Sequence, residues 1–121
     1  MRDATQAYQA IAKQTASPRD LEADLLLKAA SRLQAIQDGW DGARAALDEA
    51  LLYNRKLWTI FLSSATSTDN PLPTDIRQNV ANLGLFVIKQ TLATIGDPKP
   101  EQLGSLININ REIAGGLLAR N

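Results

Sequence analysis

Proline falls in only three places along this chain: Pro18, Pro71 with Pro73, and Pro98 with Pro100. Proline is accepted in the first turn of a helix and breaks its interior, so long stretches between these points are free to be helical. Ala and Leu dominate those stretches, while Val occurs only at Val80 and Val87, a composition that favours helix over sheet. With the turn at Gly39-Trp40-Asp41-Gly42 added, five helical segments are expected.

The first spans about residues 5–15, with Ala4, Tyr8, Ile11 and Ala12 at helical spacing; it is short and marginal on its own. The second opens with Ser17 as N-cap and Pro18 in its first turn, and Gly39 is a natural residue to close it. Its apolar stripe is Leu25, Leu26, Ala29, Leu33 and Ile36. The third runs over residues 41–65, with Leu47, Leu51, Trp58, Phe61 and Ala65 on one face and Leu52, Tyr53 and Ile60 roughly opposite. A polar loop over residues 63–74 leads to the fourth, residues 73–96. There Ile76, Val80, Leu83 and Val87 form a stripe that Leu85, Ile88 and Leu92 widen to half the circumference. The fifth covers residues 100–120, with Leu103, Leu106, Ile107, Ile113, Ala114 and Leu117 in line.

These patterns predict an all-α fold: one domain over residues 1–121, an antiparallel bundle of four main helices over 17–120, and a weakly attached N-terminal helix over 1–15. The breadth of the fourth stripe places that segment, with the third, near the bundle centre. At 121 residues the chain buries roughly two-thirds of its unfolded surface and needs no covalent staple.

The chemistry available is narrow. Zero Cys and zero His remove disulfides, the usual zinc, haem and iron–sulfur sites, and every nucleophile activated by imidazole. Carboxylates are scattered over polar positions with no in-stripe pair for acid–base work, so no catalytic residue, cofactor or metal is expected. Thirteen basic and thirteen acidic side chains cancel, and they cancel again in each half, which argues against a nucleic-acid surface. No apolar run approaches the roughly 18 residues of a membrane span, and no signal peptide is seen; a soluble, cytoplasmic protein without a membrane partner is expected.

Two polar residues break the stripes. Asn54 stands between Leu51 and Trp58, Asn110 between Ile107 and Ala114, and each is followed by arginine, Arg55 and Arg111. Two readings stay open: the amides are satisfied inside the core and set helix register, or they line a groove and pair with a partner's backbone. The two are expected to lie on facing helices, buried or nearly so. The arginines flank the stripes and suit salt bridges. Trp58 reads as core, and Trp40 as a plug at the bundle end. Gly115-Gly116 suggests close helix packing or a frayed last turn.

The segments Ala7-Tyr8-Gln9, Ser17-Pro18-Arg19-Asp20-Leu21-Glu22 and Leu52-Tyr53-Asn54-Arg55-Lys56-Leu57-Trp58-Thr59 occur in that order. After them come Asn70-Pro71-Leu72-Pro73, Leu83-Gly84-Leu85-Phe86-Val87 and the block from Leu106 through Asn108, Asn110 and Arg111 to Leu117. In order and spacing these resemble the FlaF family of alphaproteobacterial flagellar biosynthesis regulators, over nearly the whole chain. The resemblance implies a regulator that promotes flagellin synthesis or secretion and acts against a companion regulator, FlbT. The mechanism it favours is chaperone-like binding of flagellin's terminal helical segments. The alternative is post-transcriptional control of flagellin mRNA, through or against FlbT; direct nucleic-acid binding is not expected from the charge tally. A partner surface is expected at Leu52, Tyr53 and Ile60, with Tyr8 and Ile11 of the first segment lying over it as a movable cover.

Overall fold

The computed structural model describes residues 18–67, 69 and 73–119. The chain forms four main helices and one short one: α1 (Pro18–Asp38), then a single turn α2 (Trp40–Ala43), α3 (Leu47–Thr66), α4 (Thr74–Gly96) and α5 (Leu103–Ala119). One-turn 3₁₀ helices at Arg44–Ala46 and Pro100–Gln102 lead into α3 and α5. The helix expected over residues 1–15 and the Ser17 cap lie outside the described residues.

The helix expected to open at residue 41 is interrupted. Ala43 (φ −109°, ψ 2°) leaves helical geometry, Arg44–Ala46 wind as a tighter 3₁₀ turn, and the regular α-helix starts at Leu47. The interruption falls just after Gly42, the residue in this stretch with the weakest helix preference. Gly39 follows the last residue of α1, and its N–H donates to the Ala35 carbonyl at 3.1 Å. It does so at φ −113°, without the left-handed geometry that usually selects glycine there.

Side-chain size explains how the helices pair. α1 lies along α5 with its C-terminal end at the start of α5, where Gln37 Nε2 donates to the Pro100 carbonyl at 2.9 Å. The expected stripe of α1 is buried throughout, and Leu103, Leu106, Ile107 and Ala114 of α5 close over it. α3 joins this layer through Leu47, Leu51, Leu57 and Trp58, which completes the core.

α4 is the exception. The sequence pattern places it at the centre; the structure places it at the side, packed chiefly on α3. Its buried positions are Gly84, Val87, Thr91 and Thr94, so Val87 is the one large apolar side chain that it buries. The threonine hydroxyls turn back to their own helix, Thr91 to the Val87 carbonyl at 2.7 Å and Thr94 to the Gln90 carbonyl at 2.8 Å. Small groups on that face let α4 approach α3 closely. A Cβ at Gly84 would stand 3.4 Å from Leu62 Cδ1 and 3.6 Å from Trp58 Cε3. Leu85 and Leu92, the larger apolar residues that widen the stripe, remain exposed. Breadth of an apolar stripe does not by itself say that both halves are covered.

Gly115 and Gly116 depart from the first of their two expected roles, close helix packing. A Cβ added at either would find no neighbour within 4 Å, and the helix continues through both to Ala119, so they serve no close packing among the described residues.

Candidate functional site

The two asparagines meet in the core. Asn54 of α3 and Asn110 of α5 are both fully buried, and Asn110 Nδ2 donates to Asn54 Oδ1 at 2.7 Å. Trp58, one turn beyond Asn54, donates its indole Nε1–H to Asn110 Oδ1 at 2.8 Å. Asn110 Nδ2 also approaches the Leu26 carbonyl of α1 at 3.4 Å.

The direction of this chain is set by chemistry. An indole nitrogen donates only, so Asn110 must present its oxygen to Trp58 and its nitrogen to Asn54. Asn54 must then accept with its oxygen, which leaves its own Nδ2 buried without a partner among the described residues. The network ties α3, α5 and α1 together at one level. A one-turn slip of either asparagine helix would bury these polar groups unpaired, at a cost of roughly 1–3 kcal/mol each. Of the two readings left open by the sequence, this geometry is that of a core register lock.

The arginines that follow the asparagines turn outward. Arg55 and Arg111 are exposed, and neither forms an ion pair with a described residue. Trp40 is half-buried against the core with the Arg44 guanidinium 5.1 Å from its ring centre. Trp58 is buried, its ring edge-on to Phe61 at 5.7 Å.

The expected partner surface divides. Leu52 is 46% and Ile60 64% exposed on α3, whereas Tyr53 is half-buried on the α1 side beneath Arg32, whose guanidinium carbon lies 4.7 Å from the ring centre. Tyr8 and Ile11 lie outside the described residues. Arg32 also lines an open groove of about 440 Å³, together with Ala35, Ile36, Ala43, Ala46, Glu49 and Ala50. Among the described residues, six of the eight large apolar side chains that stand exposed belong to α3 and α4: Leu52, Ile60, Leu85, Phe86, Leu92 and Ile95. Sequence reasoning misses the α4 members as contacts: it assigns Leu85 and Leu92 to a stripe at the bundle centre and gives Phe86 and Ile95 no role. Gly84 is the available signal, since glycine inside a helical pattern often has a packing reason.

Among the described residues no cluster of acidic side chains is placed to hold a metal ion, and no helix is long and apolar enough to cross a membrane. One carboxyl departs from its ordinary behaviour. Half-burial pushes Glu22 of α1 above the usual carboxylate value, with nearby Arg19 acting in the opposite sense.

Fold and site together define a small all-α protein with a hydrogen-bonded polar core and, among the described residues, exposed apolar helix faces. The chain belongs to the FlaF family: the family model for flagellar protein FlaF matches residues 4–117, which include every described helix but the last two residues of α5. No curated protein and no solved structure matches it.

Proposed function

We propose that this flagellar protein acts in the cytoplasm as a non-enzymatic adaptor that binds flagellin, holding its terminal helical segments before assembly. Membership of the FlaF family supplies the flagellar context. The observation that carries the reading is the gathering of exposed leucine, isoleucine and phenylalanine side chains on α3 and α4. Such residues are scattered singly on an ordinary surface; several on two adjacent helices favour a partner helix laid against them. The family resemblance adds a counterplay with FlbT, and an effect on flagellin mRNA would then reach the message through FlbT or through flagellin.

Pull-down with purified flagellin, FlbT and flagellin leader RNA, each offered separately, tests this. Flagellin is expected to be retained, and RNA is not. Retention of leader RNA alone, with binding that weakens steeply as salt rises, would replace the adaptor reading with direct control of the message.

A further inference from the structure

The even charge balance of the sequence conceals an uneven distribution over the fold. Residues 50–66 of α3 carry Arg55 and Lys56 and no carboxylate. Residues 76–96 of α4 carry Arg77 and Lys89, again with no carboxylate. The two helices that hold most of the exposed apolar side chains are therefore purely cationic over most of their length.

Register brings these features together. Gly84 sits against both Trp58 and Leu62, which places it opposite the middle of that pair, near Ile60. Arg77 Nη1, donating to the Ser67 carbonyl at 3.0 Å, gives the same antiparallel alignment independently. Counting eight residues on from Gly84 and eight back from Ile60 brings Leu92 level with Leu52. Counting five brings Lys89 level with Arg55. On α3, Arg55 lies two turns before Leu62 on nearly the same side, the side that meets α4. On α4, Leu85, Ile88, Leu92 and Ile95 repeat at helical spacing just outside the Gly84 contact, and all but half-buried Ile88 are exposed. The outer side of the α3–α4 pair thus gathers Leu52, Leu85, Leu92 and Ile95, with Arg55 and Lys89 level with each other among them and one acid, Asp48, a turn before Leu52 at the far end of the groove.

We infer that this groove is a docking site for an amphipathic helix of a protein partner whose polar face is acidic. The inference rests on the adaptor reading above and names the chemistry of the helix held. Charge complementarity selects the occupant. A second copy of this chain would set cationic groove against cationic groove. Residues 1–17 carry Arg2 and Lys13 against the single acid Asp3, so the chain's own N-terminal segment is net positive as well. A partner helix with leucines on one face and glutamates at its margins satisfies both the apolar side chains and the two cations.

Two synthetic amphipathic helices with the same leucine face, one bearing glutamate and the other lysine on the polar face, test this on the full chain by fluorescence anisotropy. The glutamate helix is expected to bind at least about tenfold more tightly, with the preference reversed in Arg55→Glu/Lys89→Glu and affinity lowered about tenfold in Leu85→Gln/Leu92→Gln. All four substituted side chains are exposed, and thermal melts verify that the variants remain folded. Equal affinity for the two helices, or a preference that survives the charge reversal, would overturn the inference. So would binding to phosphatidylglycerol vesicles or poly(U), abolished by the charge reversal, when neither helix binds. Flagellin is tested against the same variants. Flagellin retained equally by the wild-type chain and the charge-reversed variant refutes the groove as flagellin's site and leaves the adaptor reading standing. Glutamate-helix binding without flagellin binding keeps the groove and refutes flagellin as its occupant.

Discussion

Asn110 does more than Asn54, although the sequence presents them as a matched pair. Its oxygen accepts a hydrogen bond from the Trp58 indole N–H, and its nitrogen donates to Asn54 and faces the Leu26 carbonyl. Asn54 makes one bond and keeps one buried donor unpaired. Asn110→Ala is therefore expected to destabilise by roughly 2–4 kcal/mol and Asn54→Ala by roughly 1–2, because the second change also removes a donor already costing desolvation. Urea unfolding of the two variants checks the order, and equal losses would count against the assigned polarity. Glu22 provides a second residue-scale test. Its folded-state affinity for a proton is raised, so the native state binds more protons than the unfolded chain just above the ordinary carboxylate range. Stability then falls as pH rises through that window. Glu22→Gln is expected to melt above the wild type at neutral pH, with the difference closing as pH drops below the usual glutamate value; a difference constant across the titration would contradict the burial effect.

At the scale of elements, glycine separates the helices by what surrounds it. Gly115 and Gly116 have open space where a Cβ would go, so replacing either with alanine is expected to stabilise by about 1 kcal/mol through helix propensity alone. Gly84 is different: alanine meets Leu62 and Trp58 at ordinary contact distance, whereas Gly84→Leu must push α4 outward and is expected to cost roughly 1–3 kcal/mol. Thermal melts of the three variants distinguish the sites, and a tolerated Gly84→Leu would mean that α4 is not held where it lies. The same contrast shows what is legible in the sequence. The stripes of α1 and α5 read directly because large apolar residues recur on one face and find partners there. The mid-stripe asparagines read as a pair of buried amides, since their neighbours on each face are apolar. Their link to Trp58 does not, because a hydrogen bond across helices has no sequence period. The position of α4 is hidden for a related reason: periodicity measures how wide an apolar face is, and packing is decided by the size of the residues on it, here glycine and threonine.

For the molecule as a whole, α1, α3 and α5 form the stable body and α4 is attached along one side. A helix burying one large apolar side chain should open at lower free energy than helices burying several. Amide hydrogens in the middle of α4 are accordingly expected to exchange faster than those in α1 and α5, and uniform protection across all four helices would contradict this division. The body also contains Trp58, sealed in the core with its indole proton committed to Asn110, while Trp40 is half-buried at the α1–α3 corner under Arg44. The two rings consequently differ as optical probes. Trp58, buried and hydrogen-bonded, is expected to be shielded from dissolved quenchers, whereas Trp40 is expected to be within their reach. Quencher-resistant emission is thus a direct light signal of the closed amide lock, readable in the unlabelled protein while partners are titrated against its other side.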